Sequence, residues 1–122
     1  MNSANPTADL FRAIDTRDLA RFVSFLAPDA RFRYGSAAPV TGREAIAQAV
    51  AGFFGTIQAI EHRVLHEWQD ADARACEGEV TYTRHDGSRI TLPFAVVLRP
   101  HAGLIRDYRI YVDIAPLYAP CA

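Results

Sequence analysis

The order of local patterns along the chain predicts an α+β fold. Three stretches with apolar residues at helical spacing come first, with one short strand among them, and four strands with tight connections follow. Tight connections join antiparallel neighbours, so the expectation is a mainly antiparallel sheet with helices covering one face. Composition fits a single domain over residues 1–122: half of the residues are hydrophobic and 22% are charged, enough apolar material to bury a core.

The first helix is expected from Pro6 to Asp15, where Ala8, Leu10, Phe11 and Ile14 share a face and Thr7 or Asn5 supplies the cap. Asp18 stands ahead of Leu19, Phe22, Val23, Phe25 and Leu26, and Pro28 ends that pattern, which gives a short second helix folded back on the first. Ala30 to Tyr34 alternates as a brief strand, and Gly35 to Gly42 reads as a loop. Thr41 with Glu44 forms a capping-box pattern for a third helix carrying Ile46, Val50, Phe53 and Phe54 and ending near Gly55. Ile60 to Trp68 alternates, with His62, Val64, His66 and Trp68 on one side. Arg74 to Arg84 is a longer strand, and the Asp86-Gly87 turn folds it against Ile90 to Arg99. After a turn at Pro100 to Gly103, a last strand runs from Leu104 to Ile114, where Pro116 stops it.

Charge narrows the function classes. The 13 basic residues against 14 acidic ones leave a net charge of −1, without the positive field that nucleic acid binding uses. All the basic residues are arginines, which excludes lysine Schiff-base chemistry and a phosphate-loop lysine. Cys76 and Cys121 match no disulfide framework or zinc spacing and read as free thiols. Met1 to Thr7 lacks the basic and apolar regions of a leader, and no stretch reaches the roughly 18 apolar residues of a membrane span. A cytoplasmic protein with no membrane or nucleic acid partner is the expectation.

Leu10-Phe11 with Arg17-Asp18-Leu19, Leu26-Ala27-Pro28-Asp29-Ala30, Thr41-Gly42-Arg43-Glu44-Ala45-Ile46, Asp86-Gly87, Gly103-Leu104-Ile105 and Tyr108 to Asp113 occur in an order and spacing that span nearly the whole chain. Together they resemble the SnoaL-like polyketide cyclase branch of the nuclear transport factor 2-like superfamily. The resemblance implies a cone-shaped α+β barrel: three N-terminal helices on a curved, mainly antiparallel sheet around an apolar pocket, assembled as a homodimer. Ketosteroid isomerases, limonene-epoxide hydrolases, cyclases and dehydratases share that shape, so fold alone does not define the activity.

The resemblance also places the Asp107, Arg109, Tyr111 and Asp113 face of the last strand toward the cavity, with Ile110, Val112 and Ile114 facing outward or toward a dimer partner. Asp113 aligns with a carboxylate that limonene-epoxide hydrolases use as an acid, and an apolar pocket would raise its pKa toward neutrality. The competing reading is that Asp113 pairs with an arginine or caps backbone before Pro116. Glu79 would approach Asp113 if its side of the strand faces inward, making an acid and base pair; otherwise Glu77 and Glu79 pair with neighbouring arginines. Glu77 stands where the epoxide hydrolases have an arginine, so that catalytic set is incomplete. Leu10, Tyr34 and Ala95 fall where ketosteroid isomerases have their tyrosine and two acids, which excludes steroid isomerisation.

His62 is a candidate base beside the third helix, set against the simpler role of a hydrogen-bonded histidine. Tyr34, Tyr111, Trp68 and Arg109 are candidate ligand contacts. His62 and His66 lie about 13 Å apart on a strand, which rules out a shared metal. Two functions remain open: a cofactor-free enzyme doing isomerisation, cyclisation, hydration or dehydration on a small apolar or aromatic molecule, and a non-catalytic ligand-binding or assembly module.

Overall fold

The computed structural model describes residues 6–119. Asn5 as a cap and Cys121 as a thiol lie outside the described residues. Helices α1 (Pro6–Asp15) and α2 (Leu19–Ser24) form the expected hairpin, and α3 is Arg43–Phe54. Strands β1 (Leu26–Tyr34), β2 (Val40–Thr41), β3 (Ala59–Gln69), β4 (Arg74–Thr83), β5 (Arg89–His101) and β6 (Leu104–Tyr111) make one sheet in the order β2-β1-β6-β5-β4-β3. A short helix α4 (Ala115–Tyr118) follows. The fold is α+β, with the helices covering the inner face of the sheet. Pairing is antiparallel except between β1 and β6, which run parallel with Phe32 beside Tyr108.

Several boundaries differ from the sequence reading. Asp18 caps α2 as expected, accepting from the backbone N–H of Arg21 at 3.1 Å, but Leu26 belongs to β1 rather than to the helix, and that strand starts there instead of at Ala30. Leu26, Ala27 and Ala30 are buried there beneath the helices. The pattern before α3 does not act as a capping box: Gly42 is the N-cap, at φ +95, and no side chain caps the helix. Thr7 lies inside α1, buried, and gives its hydroxyl to Glu67 at 2.6 Å. The last strand stops at Tyr111, and the residues after it turn into α4, whose Pro116 and Leu117 carbonyls accept hydrogen bonds from Arg84 at 3.1 and 3.0 Å.

The core lies between the helices and the inner sheet face. Leu10, Phe22, Leu26, Ile46, Ile57, Val80, Val96 and Tyr108 are essentially inaccessible to solvent. Along the central strands the inner face alternates as the pleat requires: Val80 and Tyr82 on β4, Phe94, Val96 and Leu98 on β5, and Tyr108 on β6.

A bulge interrupts this alternation on β3. Val64 faces Gly78 and His66 faces Glu77, so two steps on β3 meet one on β4 and the side chains beyond it change faces. The bulge brings the Arg63 carbonyl over Gly78, where an added Cβ would lie 2.0 Å from that oxygen. Only glycine admits that approach without moving backbone. Gly78→Ala should therefore lower stability by about 1–3 kcal/mol, a thermal midpoint drop of at least roughly 5 °C, read by circular dichroism melting.

Candidate functional site

The helices and the inner sheet face enclose a cavity of about 170 Å³. Its walls are rings and branched aliphatics: Phe11 of α1, Phe22 of α2, Phe32 of β1, Phe53 and Val50 of α3, Val80 of β4, Phe94 and Val96 of β5, Tyr108 and Ile110 of β6. The exposed alanines Ala37, Ala38 and Ala49 mark its rim. Polar groups enter this wall from His62, Tyr34 and Tyr82, and from the hydroxyl of Tyr108.

His62 sits before the β3 bulge, opposite Val80, and so faces inward. Its ring stacks on Phe11 with centroids 4.5 Å apart and meets the edge of Phe94 at 5.2 Å, leaving the side chain 11% exposed. Asp15, the last residue of α1, holds it twice: Oδ1 lies 2.6 Å from Nδ1 of the ring, and Oδ2 accepts from the His62 backbone N–H at 3.0 Å. A carboxylate at a helix C-terminus opposes the helix dipole, by about 0.3–1 kcal/mol, so α1 itself does not favour an acid there. The two bonds to His62 offset that cost. With Nδ1 engaged by the carboxylate, Nε2 has no hydrogen-bond partner among the described residues.

Tyr34 and Tyr82 come from β1 and β4, which are separated in the sheet by β6 and β5, and their hydroxyl oxygens meet at 2.8 Å. Phe53 packs on both rings, at 5.3 and 5.9 Å. Burial pushes both phenols above their ordinary pKa, and the mutual hydrogen bond and charge coupling raise Tyr34 further. Burial raises the phenol of Tyr108 as well. On the inner face of β4, burial pushes the Cys76 thiol up to about 11, which keeps it protonated and unreactive.

The other candidates lie elsewhere. The expectation that the Asp113 face points inward is corrected: Tyr108, Ile110 and Val112 line the cavity, and Asp107, Arg109 and Tyr111 point out. An apolar set and a polar set alternate on β6, and desolvation sends the apolar one to the enclosed side. Asp113 is exposed, beyond the end of the strand, and its Oδ1 accepts from the Ala115 backbone N–H at 3.1 Å, the capping alternative. Glu77 and Glu79 are on the outer face of β4, near His66 at 3.1 Å and Arg63 at 3.9 Å. No Asp113–Glu79 pair forms in the pocket. Arg109 bonds Asp107 at 3.2 Å on the outer face, and Tyr111 is 53% exposed. Trp68 is displaced outward by the bulge, stacked on His66 at 5.8 Å. Of the sequence candidates, the fold brings His62 and Tyr34 to one cavity; it adds Tyr82 to the lining and sets Asp15 against His62. Among the described residues no three His, Cys, Asp or Glu side chains cluster as a metal site needs, and no helix is long and apolar enough to cross a membrane.

A six-stranded sheet curved around an apolar cavity under three helices defines the cone class of α+β proteins. Residues 7–108 match the family model of the SnoaL-like domain, and the chain belongs to that family. No curated protein matches the sequence. Among solved structures, an NTF2-like protein of unknown function from Burkholderia pseudomallei superposes with a TM-score of 0.81 at 20% identity, over 90% of this chain and 89% of that one. TerC co-crystallised with polyporic acid gives 0.80 at 16% identity, over 89% of each chain. A Mycobacterium tuberculosis LEH-like epoxide hydrolase gives 0.74 at 17% identity, over 86% of this chain and 77% of that one. At these identities the likeness is one of fold.

The raised phenols predict an alkaline limit to stability. A phenol whose pKa is higher folded than unfolded contributes fully below the ordinary value of about 10, and its contribution is lost as pH rises above it. Phenolate absorbance of the native protein should therefore leave Tyr34, Tyr82 and Tyr108 untitrated until the chain unfolds in alkali. Tyr34→Phe with Tyr82→Phe should reduce the number of phenolates released at that unfolding step by two.

Proposed function

We propose that this chain binds a flat apolar organic molecule in the cavity and moves a proton to or from it, with His62 as the acid–base group and Asp15 as the residue that orients it. The observation that carries this reading is the 2.6 Å contact of His62 with Asp15 in a wall that is apolar apart from tyrosine hydroxyls. A carboxylate on Nδ1 keeps the ring proton there and leaves the Nε2 lone pair for a substrate proton. Such a transfer serves isomerisation, cyclisation, hydration or dehydration, and no cofactor enters it. Neighbours of the same fold that were crystallised with polyporic acid or named as an epoxide hydrolase support an organic ligand in the cone.

The outward placement of Asp113 and Glu79 favours a second reading, a ligand carrier without turnover, because it leaves one acid–base pair where the sequence suggested two carboxylates. Solvent deuterium uptake at the carbon beside the carbonyl of 2-tetralone, followed by NMR, separates the two. Uptake above the buffer rate is expected, falling roughly 10²–10⁴-fold in His62→Gln and about tenfold in Asp15→Asn, with binding of the parent hydrocarbon tetralin retained. Unchanged uptake in His62→Gln would overturn the assigned base, and binding without any uptake would establish the carrier.

We further propose a homodimer. Ile110 and Val112 cannot form its surface, because they line the cavity, and Ile114 packs partly buried against the core. The outer sheet face supports it instead, where Trp68 shares a row with Ala75, Val97 and Arg109, and Tyr111 shares the next with Ala95. Sedimentation at micromolar concentration should give a dimer that Trp68→Glu dissociates; a monomeric parent chain would contradict it.

A further inference from the structure

The Tyr34–Tyr82 pair lines the same cavity as the dyad yet has hydrogen-bonding capacity to spare. Two phenols carry two O–H protons. One proton lies between the two oxygens, and the other has no acceptor among the described residues. Its surroundings restrict what could take it. No Asp, Glu or Arg is among the residues lining the cavity, so neither a cation nor a full anion would find a countercharge beside the pair. A neutral acceptor suffers no such penalty. The pair also stands within one molecule of the proposed base: His62 faces Val80 across β3 and β4, and Tyr82 is the next inward residue along β4, a diagonal backbone separation of roughly 7–8 Å. Phe53, packed on both tyrosines, provides a ring beside the pair in the same cavity.

We propose that the Tyr34–Tyr82 hydroxyl pair is a ligand subsite that holds one neutral oxygen acceptor, a carbonyl or phenol oxygen, of a flat one- or two-ring molecule lying against Phe53 and reaching His62. The inference rests on the cavity being a ligand site and specifies the class of ligand. The mutual bond has a consequence for mutants. Either phenol alone still presents an O–H, so a single Tyr→Phe change leaves a donor at the subsite and only the double change removes it.

The probes are 2-tetralone and tetralin, one skeleton with and without the oxygen, titrated by calorimetry. The tetralin-to-tetralone ratio of dissociation constants should fall about 3–10-fold from the parent chain to Tyr34→Phe/Tyr82→Phe, with tetralin affinity within about twofold. Each single variant should keep part of the preference. An unchanged ratio in the double variant would overturn the subsite while leaving the cavity's role intact. Failure of both molecules to bind would overturn the reading of the cavity along with it. The infrared carbonyl stretch of 2-tetralone bound to the unmodified protein gives a check that needs no variant: a shift to lower frequency than in an aprotic solvent is expected, and an unshifted band would sink the proposal.

Discussion

The constraint on which this structure turns is that helices cover the inner face of the sheet, so a polar group there lies largely away from water and gains from a hydrogen-bond partner within the fold. Rings and branched aliphatics cover most of the face, and two polar pairs interrupt it, each with one hydrogen-bonding position left over. His62 brings Asp15, and Tyr34 brings Tyr82. Both pairs link elements far apart in sequence, α1 to β3 and β1 to β4, so the polar chemistry of the cavity exists only in the folded chain. The carboxylate is placed against the preference of its own helix, which marks a position occupied for the partner it holds.

The same constraint explains how much was legible in the residue order. The helix hairpin, the third helix, the Asp86-Gly87 turn and the mainly antiparallel sheet follow from local periodicity and turn chemistry, which depend on neighbours along the chain. Facing does not. The last strand offers an apolar set and a polar set in strict alternation, and the family resemblance favoured sending Asp113 inward. Burial favours Tyr108, Ile110 and Val112, and the cavity is lined by them. The bulge at β3 is a second case. His62, His66 and Trp68 alternate perfectly on paper, yet the extra residue between Val64 and His66 leaves only His62 inside. Gly78 on the facing strand was its one trace in the sequence, and a strand glycine is a weak one.

Asp15 and Tyr82 were missed for a different reason. Neither belongs to a motif; each matters because a distant side chain meets it. Asp15 could have been suspected from its place in the last turn of an amphipathic helix, where a basic residue is the usual choice, and Tyr82 from its position on the apolar side of β4 beside Val80. The family match accounts for the architecture and leaves the activity open, since its structural neighbours at this level of identity range from a protein of unknown function to an epoxide hydrolase.

The parallel seam between β1 and β6 governs when the chamber can exist during synthesis. β1 is made before β6, and Phe32 rests beside Tyr108 only when both are present. Until then Phe22 and Phe32 lack the Tyr108 ring on which they pack, and contacts of such long sequence separation slow the search for the native arrangement. A ribosome-bound chain that has not yet made β6 would keep Phe22 and Phe32 short of their ring partner, and truncation before Leu104 would make that exposure permanent.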